Sequence, residues 1–165
     1  MDAHSKKQYQ SIRRYLSKDG KSGFAITKDG DFTSVFNYSK ERGRLAKMLT
    51  MAVDLGGRKL DCFGGGLQNM YASFGAVAHG QVAFNKEYAP SGWDGKSEYP
   101  VVAMSLPKSV NAMIKAYDRG RTVSLSKVKQ YDDYDEMLAA RDREIPNTRY
   151  PAGKGGTGIA IAAGK

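Results

Sequence analysis

Between residues 22 and 38, apolar and polar positions alternate on both sides of the turn Lys28-Asp29-Gly30-Asp31. SGFAIT before it and FTSVFNY after it read as the two strands of a hairpin, because Asp-Gly accepts the positive φ of a tight turn. In the second strand Phe32, Phe36 and Tyr38 share one face, with Thr33 and Val35 on the other. Two occupied faces predict a central strand rather than an edge. From Ser39 the period changes. Leu45, Met48, Leu49, Ala52 and Val53 recur at helical spacing, with Ser39 as the expected N-cap and Gly56-Gly57 as the stop.

The same reading extends in both directions. RKLDCFG, 58–64, is a short strand, and Gly64-Gly65-Gly66 turns into a helix over 67–75 with Leu67, Met70, Tyr71 and Phe74 on one face. Two further strands follow at 76–85 and 100–106. The loop 86–99 between them is rich in Pro, Gly and aromatic residues, and a loop of that length marks a binding surface. SVNAMIKAY, 109–117, predicts a helix with Val110, Met113, Ile114 and Tyr117 inward, and 133–145 predicts another helix or a mobile arm. Ahead of the hairpin, residues 3–17 set Tyr9, Ile12 and Leu16 on one side at helical spacing, with Lys6, Lys7, Arg13 and Arg14 elsewhere. The stretch 147–165 is basic, glycine- and alanine-rich, and reads as a flexible tail.

Composition narrows the function classes. The 165 residues fit one domain, 41% of them are apolar, and no apolar run approaches membrane-spanning length. Residues 1–16 lack the apolar core of a signal peptide, and a single cysteine fits a reducing compartment, so the cytoplasm is the expected location. With two histidines and one cysteine there is no metal-ligand pattern. The formal charge of +9 favours a polyanionic partner, nucleic acid included, although charge alone carries that reading. Lys154-Gly-Gly-Thr-Gly158 lacks the Lys-Ser/Thr of a phosphate-binding P-loop and is a decoy.

The order strand, basic glycine turn, helix, strand, short helix, two strands resembles the cofactor-binding half of the GNAT superfamily of N-acyltransferases, over roughly 22–106. Lys40-Glu41-Arg42-Gly43-Arg44-Leu45 stands where the family has Gln/Arg-x-x-Gly-x-Gly/Ala. Gly43 matches the central glycine; Lys40 and Leu45 depart from the pattern. Tyr71-Ala-Ser-Phe-Gly75 before a strand is similar to the family's tyrosine segment, and Gly75-Ala76 looks like the variant in phage-encoded members.

The resemblance implies an α/β fold with a mixed, mostly antiparallel sheet flanked by helices. The GNAT-like core would span 1–106 and a helical extension 107–146, ahead of the tail. It also implies acetyl-CoA as cofactor, with its pyrophosphate on Lys40, Arg42, Gly43 and Arg44, and Tyr71 as the acid that protonates the departing thiolate. An amine acceptor then needs a base, for which His79, Glu87 and Glu98 are the candidates, His79 first because imidazole titrates in the useful range. In a phage the location would be host cytoplasm or virion. The front of the chain is shorter than the family's. A non-catalytic phage protein on the same scaffold, either a virion component or an inhibitor of a host protein, is therefore the alternative. Its partner surface would be the 86–99 loop, with Tyr88, Trp93 and Tyr99, and the C-terminal arm. Cys62, between Asp61 and Phe63 in a strand, reads as a small buried hydrophobe.

Overall fold

The computed structural model describes residues 12–89 and 91–153. Within them the chain forms two mostly antiparallel sheets and four α-helices. Strands β1 (Arg13–Leu16), β2 (Ser22–Ile26) and β3 (Phe32–Asn37) make the first sheet in that order. Helix α1 (Arg44–Asp54) crosses to β4 (Lys59–Phe63), followed by α2 (Leu67–Ser73), β5 (Val77–Val82), β6 (Val101–Ser105), α3 (Val110–Ala116), a two-residue β7 (Gln130–Tyr131) and α4 (Tyr134–Glu144). The second sheet has the order β4-β6-β5-β7, antiparallel except for β5 with β7.

The two sheets touch at one place. Asp31, just before β3, forms a single parallel bridge with Lys59 at the start of β4, and the Gly30 carbonyl accepts from the N–H groups of Arg58 (2.8 Å) and Lys59 (3.2 Å). No ladder pair follows. Along both strands burial falls from the shared end toward the free ends, Asn37 and Phe63. The facing edges of β3 and β4 thus keep main-chain groups that no ladder occupies, between two strands that point the same way.

The main core lies on the α1/α2 side. Phe24, Ile26, Phe32, Met48, Leu49, Ala52, Val53, Leu60, Tyr71, Phe74, Val102, Met104 and Met113 are buried together. The stripe expected on α1 is buried from Met48 to Val53. On the other side of β4-β6-β5, a small second core of Val82, Ala103 and Met137 seats α4. Asp133 caps that helix by accepting from the N–H of Glu136, so 133–145 is a docked helix.

Five expectations change. Strand β3, expected to be central, is the edge of its sheet and meets β4 through one bridge only. Residues 13–16 form strand β1, pairing Tyr15 with Phe24, so Tyr15 stacks inward at 4.9 Å while Leu16 faces out; residues 3–11 lie outside the described residues. Helix α1 begins at Arg44, with Gly43 as N-cap, because Ser39 turns back to accept from the N–H of Glu41. The alternation in β3 breaks at Ser34, whose φ of 54° places an extra residue opposite the step from Gly23 to Ala25. That bulge turns Val35, with Phe32, toward the main core. Residues 147–153 pack on the body rather than trailing as a tail: the Tyr150 hydroxyl donates to the Leu106 carbonyl (2.5 Å) and the Gly153 N–H to the Lys115 carbonyl (3.0 Å). Residues 154–165 are outside the described set.

Candidate functional site

Strands β3 and β4 part after their one bridge, and the expected site residues fall in different places relative to that parting. At its base stands Tyr71. Helix α2 carries it into the main core, where its ring meets Phe32 of β3 edge-on at 6.5 Å and its hydroxyl lies close enough to Cys62 of β4 to feel the thiol. Burial, first, and Cys62, second, push the phenol well above its usual range. Tyr71 is therefore a phenol that holds its proton, placed between the two strands that part. Burial also pushes the Cys62 thiol up to about 12, so it is neutral and unsuited to nucleophilic attack.

At the far end of β3 stands the first turn of α1. No side chain caps it, and Gly43, at φ 85°, has open space over its Cα. The N–H groups of this turn are available to an anion, which the helix dipole also favours. Lys40 and Arg42 flank the turn, exposed, and neither forms an ion pair among the described residues. Arg44 is different. Its guanidinium grips Asp19 at 2.8 and 2.6 Å and Glu41 at 3.1 and 2.9 Å. Those two carboxylates offset its charge, and Asp19 is held far below the usual carboxylate range by the Arg44 hydrogen bonds. Arg44 fastens the β1–β2 turn to α1; it is not presented as a free cation. Leu45 is half-buried against the core rather than standing over the helix start.

His79 lies on the other side of the sheet. Cys62 and Met104 face the Tyr71 core, so their neighbours Asp61 and Ser105 face α4, and the His79 ring bonds Ser105 Oγ at 2.7 Å. Desolvation, first, lowers its pKa. The sheet separates this imidazole from Tyr71, and the two do not meet as base and acid. Of the other proposed bases, Glu87 is exposed in a 3₁₀ turn (Lys86–Tyr88), and Glu98 pairs loosely with Lys86 at 4.0 Å.

The α4 side holds a polar cluster that periodicity does not reveal. Arg141, 1% exposed, donates to the Leu60 carbonyl (2.9 Å) and to Asp142 (3.0 Å), and Lys59 reaches Asp29 (3.0 Å) and Asp142 (3.1 Å). Tyr134 donates to Asp61. Asp31 sits among them with one carboxylate oxygen buried and unpartnered. Burial, then the nearby Asp61, raise its pKa to about 7, against the pull of Arg141 and Lys59. Three charges in and just ahead of β4 are the available hint: Arg58, Lys59 and Asp61 stand in a segment otherwise apolar.

The 86–99 loop forms a separate pocket. Trp93 folds back on Phe84 (ring centroids 5.1 Å apart) and donates its indole N–H to the Ser97 carbonyl, enclosing with Phe63 and Tyr99 a space of about 260 Å³. Tyr88 is outside it and exposed. A second, larger groove of about 530 Å³ lies between β1, β2 and α1. Among the described residues, no group of three acidic, histidine or cysteine side chains is arranged to hold a metal, and no helix is long and apolar enough to cross a membrane.

No family model matches this chain, and comparisons with curated proteins and with solved structures give no match either.

Proposed function

We propose that the protein binds an acyl-CoA in the gap between β3 and β4 and transfers the acyl group to an amine, as a GNAT-like N-acyltransferase. The observation that carries this reading is the position of Tyr71: a proton-bearing phenol at the base of two parallel strands that separate after one bridge. Ligands of open α/β sheets favour the carboxyl ends of strands, where main-chain groups and helix starts converge. The uncapped α1 turn at the end of β3 suits a pyrophosphate, with Gly43 leaving room and Lys40 and Arg42 supplying charge. Arg44 drops out of that set because Asp19 and Glu41 hold it.

Acyl-CoA supplies a thioester whose carbonyl carbon an uncharged amine can attack. The β3 edge beyond Asp31 offers N–H groups to the developing oxyanion. As the C–S bond breaks, the Tyr71 hydroxyl gives its proton to the thiolate, and the proton that the amine nitrogen loses passes through solvent to restore the phenol.

A specific observation favours a second reading, a non-catalytic protein on the same scaffold. Glu41 and Asp19 place two carboxylates beside the α1 turn, which works against a pyrophosphate. Isothermal titration with acetyl-CoA decides between the two. Micromolar binding that Gly43→Trp abolishes supports acyl transfer; absence of binding at millimolar acetyl-CoA supports the non-catalytic reading.

A further inference from the structure

The aromatic pocket at the carboxyl ends of β4 and β5 is a second built feature that the acyl-transfer reading does not use. Phe63 closes β4, Phe84 follows β5 by two residues, and Trp93, Asp94, Ser97 and Tyr99 come from the loop. The loop is held by its own bonds. Asp94 Oδ1 accepts from the N–H groups of Lys96 (2.8 Å) and Ser97 (2.7 Å), Oδ2 accepts from Ser97 Oγ (2.6 Å), and the Gly64 N–H donates to the Pro100 carbonyl (2.7 Å). Tyr99 packs against Gly65, where a Cβ would come within 2.6 Å of the ring, and about half of its surface stays exposed. These contacts fix the rings before any ligand arrives.

We propose that Phe63, Phe84, Trp93 and Tyr99, with Asp94 at their edge, bind a small organic ammonium group. Ring faces carry negative charge density that attracts a cation, and four aromatic side chains line this open pocket. Asp94 adds a full negative charge on the same rim; the Ser97 and Lys96 hydrogen bonds keep its pKa at about 2, so the charge persists at any working pH. An anion would meet both of these unfavourably. A space of about 260 Å³ is below the range of drug-sized sites, which suits a trimethylammonium or alkylammonium head rather than a long chain. The chain's charge of +9 opposes a cation only at long range, and salt screens it beyond about 8–10 Å. Lys86, which does not line the pocket, lies 4.0 Å from Glu98, whose charge offsets it. The site is independent of acyl-CoA binding, and its test requires no cofactor.

Trp93 is the chain's single tryptophan, so its fluorescence reports on this pocket alone. Choline and its uncharged isostere 3,3-dimethylbutan-1-ol are titrated against the full chain, together with a lysine tripeptide blocked at both ends. The expected result is a saturable choline response in the millimolar range, with the neutral isostere at least about tenfold weaker. Asp94→Asn and Tyr99→Leu, whose thermal melts check that the fold persists, each weaken choline by about three- to tenfold. Choline binding without peptide binding assigns the pocket to free cations, and peptide binding assigns it to a protein side chain; both support an ammonium site. Equal affinity for the neutral isostere, or no saturable response to either cation, overturns it.

Discussion

The two faces of β4, β6 and β5 are built from alternate residues of the same strands, yet they do opposite work. On the α1/α2 face, Leu60, Cys62, Val102 and Met104 join an apolar core that includes Tyr71. On the α4 face, Lys59, Asp61 and Ser105 meet Arg141, Asp142, Tyr134 and His79 in a network of charges and hydrogen bonds. The first face is stabilised mainly by apolar burial. The second holds a helix by charge, and gains from burial only through Val82, Ala103 and Met137. His79's parity in β5 turns it to the α4 face, whereas Tyr71, close in sequence but on helix α2, packs into the core on the opposite face.

The largest expected effect breaks the polar face. Arg141→Ala removes the donor to Leu60 and leaves Lys59 as the cation facing Asp31 and Asp142, costing about 3–5 kcal/mol in urea unfolding. Leu49→Ala on the apolar face costs a comparable 3 kcal/mol or so through its cavity, but that loss is the same at pH 5 and pH 8. The loss from Arg141→Ala grows as pH rises, since Asp31 then ionises with less positive charge beside it. A pair of denaturation curves at the two pH values separates the faces.

Next in size is Tyr71→Phe, which keeps the ring packing and removes the acid. Acyl transfer in a thiol-release assay falls by about 100-fold, with acetyl-CoA affinity unchanged. His79→Ala, by contrast, leaves transfer unchanged and affects only the stability of the α4 face.

Asp31→Asn has a smaller effect and a defined sign. The folded chain holds the Asp31 proton up to about pH 7, whereas an unfolded aspartate releases it near pH 4, at about 3.9. Across that window the unfolded state binds fewer protons, so wild-type stability falls as pH rises, relative to the variant. Asparagine removes that dependence. The variant is more stable than wild type by on the order of 1–2 kcal/mol at pH 8, and the difference shrinks toward pH 4. Melting temperatures measured every half pH unit read this out.

What sequence reveals differs between the faces for the same physical reason. Apolar burial leaves a period, so the α1 stripe, the hairpin over 22–38 and strands 58–64, 76–85 and 100–106 are legible from spacing. The β1 strand is read as a helix because Ile12 and Leu16 happen to lie four apart, while the pairing of Tyr15 with Phe24 is decided across the sheet. Ser34's bulge leaves no periodic trace, since a serine in the left-handed region is a local compromise with the β2 register. Of the proposed site, Tyr71's place on the inward face of α2 is legible from spacing, whereas Gly43's place as N-cap of α1 is not. Arg44's engagement by Asp19 is not legible, because 25 residues separate them. The α4 network joins residues more than 70 positions apart, and the four-ring pocket gathers Phe63 and Phe84 onto a loop that spacing reads only as exposed aromatics.

The most direct test of the division between faces is hydrogen–deuterium exchange with and without acetyl-CoA. Protection is expected over 34–46, the free edge of β3 and the first turn of α1, with β5 and α4 unchanged. Protection on β5 and α4 instead, with 34–46 exchanging as before, would contradict the assignment of the α1/α2 face to the cofactor.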